Sequence, residues 1–223
     1  MKSKSAKANE PAPRGPKFRR RAAARPDEVL DAALDLFIER GFAATRVEDI
    51  ARRAGLSKGA IYLYFPSKEA ILEGLVRRSI VPIADGAAAA LVDFVGGPRE
   101  TIMMLFRLLS ARLADPRVIA IPKLIIREVG AFPELAAMYR REVIERGLPI
   151  LTAVIRRGID SGLFRPVDPE LAVRSLIGPI GMHLFLAEIF GIVPEGGLNL
   201  AGLIETHVDI LYHGLIRQQE AER

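Results

Sequence analysis

Residues 47–64 read VEDIARRAGLSKGAIYLY, and this stretch decides the fold. Two short helices joined by a tight turn need a small residue where the second crosses the first, and Ala51 stands there. Gly55 admits the positive φ that such a turn demands. Ile50, Leu56 and Ile61 supply the small apolar core beneath. Together these residues meet the spacing of a helix-turn-helix.

The surface of the second of these helices indicates its partner. Ser57, Lys58, Gly59 and Ala60 are small or basic, so that end fits a DNA major groove about 12 Å wide. Lys58 can donate to a guanine edge or to phosphate. Tyr62 and Tyr64 offer hydroxyls to backbone phosphates, and the Tyr62 ring can press on a sugar or a thymine methyl. Lys68 stands at a helix start, where ammonium and helix dipole together attract phosphate. Thr45 offers the same at the start of the first helix of the pair. The competing reading is that Tyr62 and Tyr64 are half-buried core aromatics and that Lys58 and Lys68 are solvated charges.

Outward from the motif, the pattern is helical throughout. Leu30, Ala33, Leu34, Phe37 and Ile38 recur at helical spacing over 27–40. Asp27, Glu28 and Asp31 lie in the first turn, Pro26 precedes it, and Gly41 stops it. Thr45 is the expected cap of a helix over 47–54, Ser57 of one reaching about Tyr64, and Ser67 of one starting at Lys68. Beyond residue 95, breakers at Gly96–Pro98, Asp115–Pro116, Phe132–Pro133, Gly162, Asp168–Pro169 and Gly196–Gly197 separate further helical runs. Pro82, Pro122, Pro149 and Pro179 are expected to kink or split helices. No stretch alternates with period two. The expected fold is all-α, with about nine helices, no sheet and no internal repeat. It divides into a disordered basic arm (1–24), a three-helix DNA-binding domain (25–75) and a larger helical domain for effector binding and dimerisation (76–223).

The arm holds much of the charge. Residues 1–21 contain eight bases and one acid, Glu10, hence +7 in a chain of net charge +5; the remainder is −2. A polycation of this kind suits a phosphate backbone or an anionic membrane surface, or is a solubilising tail. A second reading is therefore a non-specific or architectural nucleic-acid binder driven by the arm.

The run Leu34, Phe37, Gly41, Phe42, Thr45, then Val47, Ile50, Ala51, Ala54, Gly55, then Ser57 to Tyr62, Tyr64, Phe65, Lys68, Glu69 and Leu72 resembles the DNA-binding domain of the tetracycline-repressor (TetR) family. The likeness covers about residues 27–75. It implies an all-helical homodimer whose fourth helix links the DNA-binding module to a divergent regulatory domain. It also implies that a small-molecule effector alters the spacing of two reading heads on a double-stranded, palindromic operator. Thr45, Ser57, Lys58, Gly59, Ala60, Tyr62, Tyr64 and Lys68 occupy positions that touch DNA in such proteins. Because residues 57–60 carry few long polar groups, Lys58, Arg46 and DNA shape are expected to carry specificity. Arg19, Arg20 and Arg21 are candidates for a minor-groove arm. In the larger domain, Ile125-Ile126-Arg127-Glu128, Phe132-Pro133-Glu134-Leu135 and Gly162-Leu163-Phe164-Arg165 resemble the regulatory domain of some members.

The segments 171–190 and 198–216 are apolar on all sides. Such helices want burial on two sides, one of which a second subunit in a four-helix interface can supply; the alternative is a monomer whose last helices complete only its own core. An apolar effector suits a cavity lined by Phe106, Leu109 and Met138, with Met103, Leu105, Leu151, Ile155, Met182 and Phe185. Arg107, Arg112, Arg127, Glu128, Tyr139 and His183 are the polar candidates to orient it. For each of these residues an ordinary core or salt-bridge role is the alternative.

Several classes are excluded. The chain has no Cys, which removes disulfide scaffolds, thiolate zinc sites, iron–sulfur clusters and Cys nucleophiles. There is no glycine-rich phosphate loop, no His-Glu-x-x-His and no Gly-x-Ser-x-Gly, so no enzyme is expected. His207 and His213 are six apart, on different helix faces, and no metal or cofactor is expected. The basic start lacks a following apolar region, so it is not a secretory signal. The longest apolar stretch, Ser175 to Ala187, is shorter than a bilayer span. A soluble, cytoplasmic protein with no membrane partner is expected.

Overall fold

The computed structural model describes residues 17–92 and 95–215, with side chains from Arg25 onward. Its elements are α1 (Lys17–Ala44), α2 (Val47–Arg53), α3 (Lys58–Tyr62), α4 (Lys68–Ser79), α5 (Val81–Val92), α6 (Pro98–Leu113), α7 (Pro116–Glu128), α8 (Pro133–Tyr139), a π-helical turn (Arg140–Ile144), α9 (Glu145–Asp160), α10 (Pro169–Phe190) and α11 (Leu200–Leu215). Among the described residues there is no strand. α4 and α5 abut at Ile80, and α8, the π-helical turn and α9 are continuous. Joined in that way they make nine rods among the described residues, in line with the expected number.

The local chemistry explains the starts. Pro98, Pro116, Pro133 and Pro169 open α6, α7, α8 and α10, where a missing N–H costs no helical bond. Asp115 accepts from the backbone N–H of Arg117 at 2.8 Å, and Asp168 accepts from those of Glu170 and Leu171.

Four expectations are corrected. First, α1 begins at Lys17, ten residues before Asp27, and runs through Pro26. Residues 17–24 of the expected disordered arm are thus helical, as the helix-favouring run Arg19–Ala24 allows; residues 1–16 lie outside the described residues. Second, Pro122, Pro149 and Pro179 do not split their helices. Each forfeits one backbone bond, which burial of the flanking apolar faces outweighs. Only Pro82 stands at a break, two residues after the α4–α5 junction at Ile80. Third, Thr45 does not cap α2; Arg46 holds the cap position without a side-chain bond. Fourth, Ser175 to Ala187 lies inside the 22-residue α10, which is long and apolar enough, by length and composition, to cross a membrane.

Two apolar cores hold the molecule together. The first gathers Phe37 and Leu34 of α1, Ile50 of α2, Ile61 of α3 and Leu72 of α4, and continues into Ile121 and Leu124 of α7 and Leu135 of α8. Packing therefore passes without a break across residue 75. The second joins α6, α9, α10 and α11 through Phe106, Ile155, Phe164, Leu176 and Ile204. Phe164 lies so close over Gly158 that a Cβ there would stand 2.3 Å from the ring. On the outer side of α10 and α11, Leu171, Met182, Phe185, Ile189 and Ile210 are exposed.

Candidate nucleic-acid interface and effector cavity

The helix-turn-helix forms as its residue types require. Ala54 donates its N–H to the Ile50 carbonyl at 2.9 Å, Gly55 takes φ 67°, and Leu56 donates back to Ala51 at 2.9 Å. Ser57 Oγ then accepts from the N–H of Ala60 at 3.2 Å and starts α3. Ile50 and Ile61 are fully buried beneath. This anchoring leaves Arg46, Ser57, Lys58, Gly59 and Tyr62 exposed on one side, with Ala60 and Tyr64 half-buried. Nothing lies within 4 Å of where a Gly59 Cβ would be, so its own chain imposes no need for glycine there.

Lys58 is not a free charge. Its ammonium pairs with Glu48 of α2 and lies 5.8 Å from the centre of the Tyr62 ring. The Glu48 carboxylate raises the Lys58 pKa, and Lys58 lowers that of Glu48. Glu48 was not among the expected site residues. A carboxylate ten positions earlier meets Lys58 only because the turn folds α2 against α3.

Two of the expected phosphate contacts are bonded within the protein. Thr45 is 1 % exposed, and its hydroxyl donates to the carbonyls of Gly41 at 2.7 Å and Leu36 at 3.3 Å. The Lys68 ammonium donates to the carbonyls of Phe42 at 2.6 Å, Thr45 at 3.0 Å and Ala43 at 3.4 Å, and sits 4.2 Å over the Phe42 ring. Burial lowers its pKa, opposed by the charges of Glu69 and Glu128. Lys68 therefore ties the corner between α1 and α2, satisfying carbonyls left over at the end of α1.

A cavity of about 470 Å³ lies between the α4–α5 junction, α6, α7, the π-helical turn, α9 and α10. Phe106, Leu109 and Tyr139 line it, as do Leu105 and Leu151. The other expected residues lie elsewhere. Met138 is packed in the first core, where its helix faces α4 and α7. Arg127 is outside the lining and approaches Glu188 at 3.9 Å. His183 is also outside it, with a buried Nε2 that has no hydrogen-bond partner among the described residues. Met182 and Phe185 point away from the cavity toward the exposed side of α10. Burial pushes the Tyr139 hydroxyl up to about 12. The cavity wall also contains Glu142, whose carboxylate accepts from Arg77 at 3.1 Å twice and from Arg141 at 2.9 Å; these guanidinium groups hold its pKa at about 2.

Residues 29–75 match the model for bacterial regulatory proteins of the tetR family, and residues 95–188 match the tetracyclin repressor-like C-terminal domain. The chain belongs to the TetR family. This TetR-family protein is a DNA-binding transcriptional regulator and not an enzyme. It is 26 % identical over 154 residues to the fatty acid metabolism regulator protein of Bacillus subtilis, covering 69 % of this chain and 78 % of that protein. It is 29 % identical over 157 residues to the transcriptional repressor KstR2 of Mycolicibacterium smegmatis, covering 69 % and 75 %. In fold it is similar to the regulator FadR of Bacillus subtilis, solved in complex with stearoyl-CoA. The TM-score is 0.72 at 24 % identity, over 85 % of this chain and 98 % of that one.

In this TetR-family regulator the larger domain grips the reading head through residues far away in sequence. Glu128 at the end of α7 accepts from the Phe42 N–H at 2.9 Å, 86 residues distant. Gly41 takes φ 83° there, and a Cβ on it would stand 2.9 Å from the same carboxylate. Phe132 packs edge-on against Phe42 at 5.1 Å. Arg117 at the start of α7 pairs with Asp35 at 2.7 Å and Asp31 at 3.3 Å. Only the family pattern around Arg127-Glu128 and Phe132 hinted at these contacts; nothing in it named Phe42 as the partner.

Proposed function

We propose that this protein is a homodimeric repressor that leaves a palindromic operator when a lipophilic effector enters the cavity between α4 and α10. The carrying observation is that the cavity shares its wall with the anchor of α4. Glu142 lines the cavity and holds Arg77 of α4, the helix that follows the reading head. Ile80 and Val81, at the α4–α5 break, line the same space. An occupant that presses on this wall favours a different angle of α4, and hence a different separation of two heads. Those heads must match half-sites about 34–36 Å apart. To empty the operator, the effector must bind the mismatched conformer far more tightly than the other.

A volume of about 470 Å³ falls inside the range of roughly 300–1,000 Å³ typical of small-molecule sites. The lipophilic lining and the relation to a fatty acid metabolism regulator support an acyl-bearing effector. DNA contact falls to Arg46, Ser57, Lys58, Gly59, Ala60, Tyr62 and Tyr64. Self-association is supported by the exposed apolar side of α10 and α11, where Leu171, Met182, Phe185 and Ile189 share a helix face. The place of action is the cytoplasm, with its DNA.

The test is selection of duplex sequences bound by the full chain at 0.15 M salt, followed by titration of stearoyl-CoA into the selected complex. Release of DNA supports the reading. A complex indifferent to acyl-CoAs, sterols and free lipids removes the effector role. If deleting residues 1–21 abolishes all binding and no sequence is preferred, the arm-driven, non-specific reading replaces this one.

A further inference from the structure

We infer that the Tyr139 hydroxyl is the polar anchor of the effector cavity, and that the part of the effector held inside is an uncharged lipophile bearing one hydrogen-bonding oxygen. A ketone, ester or thioester carbonyl fits; a free carboxylate does not. The inference rests on the effector reading above and narrows its chemistry.

The lining is apolar apart from Tyr139 and Glu142. Glu142 has no capacity to receive an anion. It is ionised, its side chain is 3 % exposed, and its oxygens are taken up by Arg77, Arg141 and Arg146. Those arginines are absent from the lining, so the wall presents a carboxylate and no cation. A second carboxylate brought inside would be buried without a counter-charge beside a like charge, which is strongly unfavourable.

Tyr139 is in the opposite condition. A tyrosine hydroxyl in apolar surroundings ordinarily finds a partner, and Tyr139 is half-buried on the wall of this cavity. Here none of the described residues donates to it or accepts from it, and burial alone sets its pKa. It can donate to a carbonyl oxygen while the aliphatic remainder lies against residues such as Leu105, Phe106 and Leu109. Tyr139 also stands immediately before the π-helical turn, so a ligand bound to it touches the segment that holds Glu142. Irregular helical turns of this kind are frequent at functional sites.

The test uses the full-length protein loaded with the neutral dye Nile red, displaced at pH 8 by decanoate, methyl decanoate, 2-undecanone and decane. The ester and ketone are expected to displace the dye at concentrations at least tenfold below decanoate. Tyr139→Phe is expected to raise the ester requirement about tenfold and leave that of decane unchanged, with an unaltered thermal melt by circular dichroism. Leu109→Trp, which fills the cavity, should abolish displacement by all four. Equal displacement by decanoate and ester, an ester response unaltered by Tyr139→Phe, or displacement that survives Leu109→Trp overturns the inference. Displacement by all four without regard to head group leaves the lipophilic effector reading standing and removes only the anchor. Failure of any lipophile to displace the dye removes both.

Discussion

Replacing Lys68 by Met distinguishes a structural lysine from a DNA-contacting one. The methionine keeps the unbranched stem over the Phe42 ring and removes the ammonium. The carbonyls of Phe42 and Thr45, both partly buried, then lose a charged donor at 2.6 and 3.0 Å. The Phe42 carbonyl keeps the Thr45 N–H at 3.3 Å, so the Thr45 carbonyl alone is left without a partner, at a cost of roughly 1–3 kcal/mol. The third carbonyl, Ala43, is exposed and turns to water. Against this, the variant no longer buries an ammonium whose pKa is already lowered by desolvation, which offsets part of the loss. The net expectation is a destabilisation of about 1–2 kcal/mol. At roughly 2–4 °C per kcal/mol for a protein of this size, the melting temperature falls by about 2–8 °C. Urea denaturation and thermal melts read the stability. DNA titrations from 50 to 200 mM salt read the number of phosphates engaged. A structural lysine leaves the slope of log K against log salt unchanged, whereas a lost phosphate contact lowers it by about 0.9. An unaltered melt together with a slope reduced by that amount would refute the assignment.

Glu142→Gln should destabilise the protein at pH 7 by about 2 kcal/mol, because Arg77 and Arg141 lose their shared anion. The folded-state pKa of about 2 lies below the ordinary 4.5. The wild-type advantage is therefore complete above about pH 4.5 and is lost as pH falls toward 2, which paired acid titrations of both proteins check. Glu48→Gln releases Lys58 and removes an anion from the reading surface; operator binding should tighten and the salt slope steepen by about 1, and a slope that stays flat would separate Lys58 from DNA. Gly59→Ala should leave the melt within about 1 kcal/mol of wild type, since a Cβ there has no neighbour within 4 Å, yet weaken operator binding in a gel shift. Full binding by that variant would place DNA away from α3. Ile210→Glu or Met182→Glu should dissociate the dimer in sedimentation while preserving helicity, and a dimer that persists would move the interface off the α10–α11 face.

The reading head was legible in the sequence because local rules dominate it. Gly55 sets the turn, Ser57 caps α3, and Ile50 and Ile61 fall at helical spacing over one small core. Each of these is decided within about twenty residues. The extension of α1 past Pro26 was not legible, because a proline near a helix start reads as its first residue whether or not helix precedes it.

What tertiary structure alone decided concerns polar partners. In sequence, Lys68 is a lysine at the start of a helix, and Lys58 is a lysine on a recognition helix; both look available to phosphate. The fold lays the first on the carbonyls that end α1 and the second on Glu48. Likewise Tyr139 and Met138 are neighbours in the chain, yet one lines the cavity and the other fills the core beneath the reading head. The sequence determined by itself most of the helical segments and the helix-turn-helix among them, because backbone propensity, capping and apolar period act over a few residues. The fold decided which charges remain free and where the cavity lies. A charge or a hydroxyl is neutralised by whatever group is brought within about 3 Å, and at Glu128, Glu142 and Arg117 that group comes from 65 to 86 residues away.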